Sequence, residues 1–297
     1  MNIGFIGLGI MGKPMSKNLL KAGHEVLCFD VIKTCVDEVT AAGAKSATCV
    51  ADVARECAFI ITMLPNSPQV REVALGQGGI ADNAKPGTLL VDMSSIAPLA
   101  AREICDGLKT KGIRMLDAPV SGGEPKAIEG TLSVMIGGAQ KDFDEAKPVL
   151  ETMAASVVRV GEIGAGNTAK LANQIVVAIN IAALAEAMTL SVKAGVDPEL
   201  VFQAIRGGLA GSTVMEAKAP MMLGRNIKPG FKIDLHIKDM GNILETGHAV
   251  NVPLPLSAAV AEMMQALKAD DLGGADHSAL VRYYEKIANL EVKRGAS

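Results

Sequence analysis

Two rhythms of apolar residues run along the 297-residue chain, and one replaces the other near residue 160. Before that point short β-rich runs recur: Ile3-Gly4-Phe5-Ile6, Glu25 to Phe29, Phe59 to Met63, Thr88 to Val91, Arg114 to Leu116, Leu132 to Ile136 and Val157 to Val160. Longer segments with helical spacing separate them, and such alternation predicts parallel strands joined by right-handed crossovers in a doubly wound sheet. After residue 166 the strand signals stop. Asn167 and Thr168 can cap a helix, and good helix formers run on to Ala194, where Gly195 supplies a stop. At 1.5 Å per residue this helix of about 28 residues is ~42 Å long. Asp197-Pro198-Glu199 then opens another helix with a cap, a proline at the first helical position and an acid in the first turn. Further helical segments are expected near 213–223, 234–250, 255–269 and 276–292. The pattern predicts an α/β domain over 1–163 and an all-helical domain over 164–297 that begins with a long interdomain helix.

The first strand leads into Gly7-x-Gly9-x-x-Gly12 and a helix over Lys13 to Ala22. In a Rossmann-type unit the first glycine makes a tight turn, the second admits a pyrophosphate, and the third lets the helix pack on its strand. The helix N-terminus offers free N–H groups to phosphate oxygens. The next strand ends at Asp30, 18 residues after Gly12, where an acid meets the ribose 2′-hydroxyl. Residues Gly7, Leu8, Gly9, Ile10, Met11, Gly12 and Asp30 are therefore candidates for binding a dinucleotide. Asp30 would repel a 2′-phosphate, and Val31-Ile32-Lys33-Thr34 puts no arginine after it, so NAD is preferred over NADP. The strand ends Met63-Leu64-Pro65-Asn66 and Asp92-Met93-Ser94-Ser95 should face the same crevice, although ordinary turn chemistry reads equally well there.

A loop of small residues, Asp117-Ala118-Pro119-Val120-Ser121-Gly122-Gly123, can offer a hydroxyl and backbone N–H groups to a substrate carboxylate, or can be a structural turn. Gly164-x-Gly166-x-x-Ala169 spells a second dinucleotide fingerprint. No strand ending in an acid follows it, so it is read as a tight helix start between domains and not as a second cofactor site. The helix it opens carries Lys170, Asn173 and Gln174 at i, i+3 and i+4, on one face. A cation at a helix N-terminus opposes the dipole, which favours release of its proton. Lys170 is thus either a solvated lysine or a proton donor.

Composition narrows the partners. A formal charge of -3, no Trp, two Tyr and six Phe give nucleic acid neither a basic field nor stacking surfaces. Five cysteines without a CxxC, Cys28, Cys35, Cys49, Cys57 and Cys105, fit reduced thiols in a cytoplasm. His24, His236, His248 and His277 form no ligand-spaced pair, so no metal is expected. The chain opens on a strand without a basic leader, and the apolar stretch Ile175 to Leu190 is interrupted by Asn180 and Glu186, so neither a signal peptide nor a membrane span is expected. The apolar surface of the long helix reads equally as burial against a second subunit or as core packing within its own domain.

Taken in order, GFIGLGIMGKPMSKNLLKAG, DAPVSGG and GAGNTAKLANQ resemble the cofactor, substrate and catalytic motifs of the β-hydroxyacid dehydrogenase family, and the resemblance covers nearly the whole chain. It implies a Rossmann domain followed by a helical domain, with NADH preferred and NADPH possible. It implies that Lys170 is the general acid of aldehyde reduction and the base in reverse, and that the site lies between the domains. Ser121, Gly122 and Gly123 would hold the substrate carboxylate, with Asn173, Gln174 and Asp239 also on the substrate. The family often has Asn where Gln174 stands. Leu64, Pro65, Ser95, Phe231 and Lys238 would contact the cofactor, although Phe231 also reads as core packing. Stretches such as ITMLPNSPQV, RGGLAGST and FKIDLHIKDM point to the branch that reduces tartronate semialdehyde to D-glycerate. The alternatives are oxidation of 3-hydroxyisobutyrate or a related short substrate, and a module that senses NAD without turnover. The family's members imply a homo-oligomer, dimer or tetramer.

Overall fold

The computed structural model describes residues 1–294, which form two compact units, Met1–Lys170 and a second from Leu171 on. The first is built on nine strands: β1 (Asn2–Ile6), β2 (Glu25–Phe29), β3 (Lys45–Ser46), β4 (Phe59–Thr62), β5 (Leu89–Asp92), β6 (Arg114–Asp117), β7 (Val120–Ser121), β8 (Leu132–Gly137) and β9 (Ala154–Gly161). Their order is β3-β2-β1-β4-β5-β6-β8-β7, with β9 on β8. Strands β1 to β6 pair in parallel, and the order reverses between β1 and β4, the point where an open α/β sheet binds its ligand.

Period-two alternation explains why helices cover both faces of the sheet. Ile3, Phe5, Phe59, Ile61, Leu89, Val91 and Leu116 enter one core, whereas Ile6, Ile60, Leu90 and Met115 enter a second. Successive side chains on a strand point to opposite faces, so near-continuous apolar runs need cover on both.

The sheet departs from the expectation in two places. The two-residue strands β3 and β7 carry too few side chains to leave a pattern. More consequentially, β8 runs antiparallel to β6 and β7, so the sheet is not parallel throughout. Only Asp117 and Gly137 pair β6 with β8; the rest of β8 lies along β7, which prolongs β6 past the sheet's carboxyl edge. The antiparallel run therefore ends at Asp117. Strand β9, parallel to β8, ends there as well, with Gly161 opposite Gly137.

The second unit is helical, with helices Pro198–Ile205, Thr213–Leu223, Ile233–Ala249, Pro255–Ala269 and Leu280–Ala288. The last expected segment, 276–292, is shorter: a 3₁₀ turn His277–Ala279 precedes the helix, and Asn289 stops it in the left-handed region. The long helix runs over Ala165–Lys193. Gly195, at φ +77°, ends it, with Gly195 N–H donating to Val192 O and Val196 N–H to Ser191 O. By length and composition this helix could cross a membrane, but Ala178, Ile181, Leu184, Ala185 and Met188 are buried in the core of the second unit with Phe202, Met240, Ile243 and Met264.

Candidate functional site

The first glycine loop has the geometry its sequence asked for. Gly7 has φ +98°, and a Cβ there would strike the Met63 carbonyl. A Cβ on Gly12 would strike the Gly7 carbonyl, so the helix Gly12–Lys21 can start this close to β1 only with glycine. Gly9 has open space where its Cβ would stand, the approach a phosphate group needs. Asp30 accepts from Leu8 N–H at 2.6 Å and from Ile32 N–H at 2.8 Å, which ties the end of β2 to the loop. Beside it a cavity of about 470 Å³ is lined by Asp30, Val31, Val36, Asp37 and Thr48 among others. Lys33 lines it too, but its ammonium is paired with Asp37 at 2.6 Å. These features fit a dinucleotide.

The predicted cofactor residues of the first unit follow the carboxyl ends of parallel strands and so meet at one edge: Gly7 to Gly12 after β1, Asp30 after β2, Leu64 and Pro65 after β4, Ser95 after β5. Asp92, which the sequence pattern gave no role, organises two of these ends. Its Oδ1 accepts from Thr62 Oγ1 at 2.8 Å and Ser94 N–H at 3.2 Å, while Ser94 Oγ accepts from Leu64 N–H at 2.8 Å. Asp92 is wholly buried, its Oδ2 takes no hydrogen bond among the described residues, and burial pushes its carboxyl up to about 7.

Asp117, in register with Asp92 on the neighbouring strand, is buried as well. Its Oδ1 accepts from Gly164 N–H at 2.7 Å; its Oδ2 accepts from Asn167 N–H at 2.7 Å and Asn167 Nδ2 at 3.3 Å. Burial pushes this carboxyl up to about 6 against the pull of those donors. The helix expected to be capped by Asn167 or Thr168 therefore begins earlier, at Ala165, because its free N–H groups are taken by a carboxylate from β6. Thr168 Oγ1 instead bonds back to Gly164 O, and Asn167 Oδ1 accepts from Ile96 N–H at 3.0 Å. The second glycine loop has its own reason for its letters. Gly164 needs φ +87°, and a Cβ on Gly166 would strike the carbonyls of Asp117 and Met135. Lys170 follows one turn after Asn167 and is buried.

Ser121 sits on β7, and Gly122 and Gly123 follow at φ +137° and +68°, conformations open to glycine. Within the second unit four predicted residues come together. Gln174 Nε2 donates to Asp239 Oδ2 at 2.6 Å, Asn173 Nδ2 donates to Gln174 Oε1 at 2.8 Å, and Lys238 pairs with Asp239 Oδ1 at 2.8 Å. Phe231 stacks edge-on with His236 at 5.6 Å and against His277 at 5.4 Å. Those histidines, unrelated by sequence spacing, meet with their Nδ1 atoms 3.0 Å apart. Buried Asp276 fastens the turn before Phe231, accepting from Gly230 N–H, Phe231 N–H and Lys218. No group of three or more His, Cys, Asp or Glu among the described residues is arranged for a metal ion.

The sequence named Asp92 and Asp117 only as members of strand-end loops and Asn167 only as a local cap, and gave Asp276 no role; the hydrogen bonds by which these four organise their loops appear only in the structure. The one available signal was a polar residue closing an apolar strand, as in Leu89-Leu90-Val91-Asp92 and Arg114-Met115-Leu116-Asp117.

The chain is similar to known proteins over nearly its whole length. A family model described as the NAD binding domain of 6-phosphogluconate dehydrogenase matches residues 2–161, and one described as NAD-binding of NADP-dependent 3-hydroxyisobutyrate dehydrogenase matches residues 164–284. The chain is 43% identical over 289 residues to 2-hydroxy-3-oxopropionate reductase of Escherichia coli (strain K12), covering 97% of this chain and 99% of that one. It is 39% identical over 296 residues to 2-(hydroxymethyl)glutarate dehydrogenase of Eubacterium barkeri, covering 99% and 98%. Among solved structures, Mycobacterium tuberculosis 3-hydroxyisobutyrate dehydrogenase with L-serine superimposes with a TM-score of 0.88 at 35% identity, over 95% of this chain and 98% of that one.

Proposed function

Since the chain belongs to the β-hydroxyacid dehydrogenase family of NAD(P)-dependent oxidoreductases, we propose that it reduces tartronate semialdehyde (2-hydroxy-3-oxopropanoate) to D-glycerate, reversibly. The observation that carries this substrate is the nearly full-length match to the Escherichia coli 2-hydroxy-3-oxopropionate reductase.

NAD(P)H, when bound, supplies the hydride. In our reading Lys170 donates a proton to the carbonyl oxygen as negative charge develops there, and takes it back in the reverse direction. The Ser121 hydroxyl and the N–H groups of Gly122 and Gly123 hold the substrate carboxylate. Asn173 and Gln174 orient the substrate. Asp239 fixes the Gln174 amide by accepting from Nε2, so the glutamine is held in one orientation at a position where the family often has asparagine. Gly7 to Gly12, Leu64, Pro65 and Ser95 would hold the cofactor, and Phe231 and Lys238 are assigned to it by resemblance. NADH is preferred in this reading because Asp30 and Asp37 line the cavity and its lysine is already paired. Free thiols at all five cysteines suit a cytoplasmic enzyme. Val176 and Leu190, exposed on the long helix, support a homo-oligomer.

The test is a panel of tartronate, methylmalonate and succinate semialdehydes, each with NADH and NADPH. We expect the highest kcat/KM for tartronate semialdehyde with NADH. A higher value for methylmalonate semialdehyde would reassign the enzyme to 3-hydroxyisobutyrate. An NAD sensor without turnover predicts a Lys170→Ala protein that functions normally; retained NADH binding with turnover lost excludes it.

A further inference from the structure

We infer that Asp117 is a positioning residue for the reaction: it fixes the first turn of the helix that carries Lys170 and, through Asn167, ties that turn to the loop after β5. The inference rests on the proton-donor reading of Lys170.

The first N–H groups of a helix have no partner within it and are commonly met by a local Ser, Thr, Asp or Asn. Here a carboxylate from 47 and 50 residues upstream takes two of them, those of Gly164 and Asn167, both at 2.7 Å. With the Asn167 side-chain amide at 3.3 Å, three donors converge on one carboxyl group. Only an acceptor without protons of its own meets all three; an asparagine would turn an N–H toward another N–H. Burial brings the Asp117 carboxyl up to about 6, which still leaves it mainly ionised at neutral pH. Its charge in turn opposes ionisation of Asp92, beside it on β5.

Asn167 is the joint. Its N–H and Nδ2 face Asp117 while its Oδ1 accepts from Ile96 N–H, the residue after Ser95. Gly166, between the two anchored positions, leaves no room for a Cβ against the backbones of β6 and β8, so the turn cannot slide. Lys170, one turn on, inherits this placement relative to the Ser95 loop. Displacing a reacting group by ~1 Å can cost about 100-fold in rate. A device that fixes the start of this helix therefore acts on kcat.

The test compares Asp117→Asn, Asn167→Ala and Lys170→Ala in the full-length protein, with turnover counted per NADH-binding site from a fluorescence titration. Asp117→Asn should lower kcat by about 10- to 100-fold, with NADH affinity and aldehyde KM within about threefold of wild type. Asn167→Ala, which keeps the Asp117–Gly164 bond, should lower it by about 3- to 10-fold, and this variant carries the test if Asp117→Asn does not fold. Wild-type kcat per site in the folded variants overturns the inference. Parallel loss of NADH affinity and kcat also overturns it, since that is what a merely structural role produces. Lys170→Ala separates the two levels. If it abolishes turnover while Asp117→Asn and Asn167→Ala do not lower it, the inference alone fails; if it leaves turnover intact, the proton-donor reading fails and this inference with it.

Discussion

Replacing Asp92 by Asn should make the protein more stable at alkaline pH and not at acidic pH. Burial raises this carboxyl from 3.8 to about 7, so the folded protein holds a proton that the unfolded chain releases between about pH 4 and pH 7. Stability contributed by that proton is present at low pH, declines as pH rises through the window, and is flat above it. The gap is about three pH units, and at about 1.4 kcal/mol each the cost of ionising Asp92 approaches 4 kcal/mol above pH 7. Asparagine never ionises. Its carbonyl can keep the bonds from Thr62 and Ser94, but its Nδ2 would lie where Oδ2 now has no partner, at a cost of about 1–3 kcal/mol. The balance is a gain on the order of 1–3 kcal/mol at pH 8 and none, or a small loss, at pH 5. Thermal unfolding of both proteins by circular dichroism at pH 5, 6, 7 and 8 reads this directly. At about 2–4 °C per kcal/mol the variant should melt several degrees higher at pH 8. A Tm difference that does not change with pH, or one that favours the wild type at pH 8, would refute the reasoning.

Other perturbations test the loops. Asp30→Ala removes the acceptor for Leu8 and Ile32 N–H, and should raise the KM for NADH about tenfold while narrowing the preference over NADPH, as steady-state kinetics with both cofactors would show. Gly166→Ala drives a methyl group into the Asp117 and Met135 carbonyls, and should destabilise by about 1–3 kcal/mol, seen as a lower Tm, with turnover reduced per folded molecule. Ser121→Ala should raise the aldehyde KM about tenfold and leave NADH affinity unchanged in a fluorescence titration. Dialysis against a chelator should leave turnover unchanged, since no metal-holding group is formed among the described residues.

Much of the fold was legible because its signals are local. The glycine loop, the helix Gly12–Lys21 and Asp30 lie within one strand–helix–strand unit, where spacing alone fixes geometry. The long helix and its stop at Gly195 were legible for the same reason: each hydrogen bond there spans a few residues. Strands β3 and β7 were not legible, since two residues cannot show a period. Nor was the helix start at Ala165. Its local sequence offers Asn167 and Thr168 as caps, and nothing nearby reveals that Asp117 will occupy the free N–H groups first.

By itself the sequence determined the class of fold and the cofactor loop, because apolar periodicity and glycine placement act within a turn or a strand; it left Lys170 open between a solvated lysine and a proton donor, and only the family resemblance favoured the second. Tertiary structure alone decided that β8 turns back along β7, that β9 consequently ends beside Asp117, and that a carboxylate from β6 fixes the helix leading to Lys170. The last of these joins residues 47 and 50 positions apart, and its hydrogen bonds exist only once the sheet has brought both ends to the same edge.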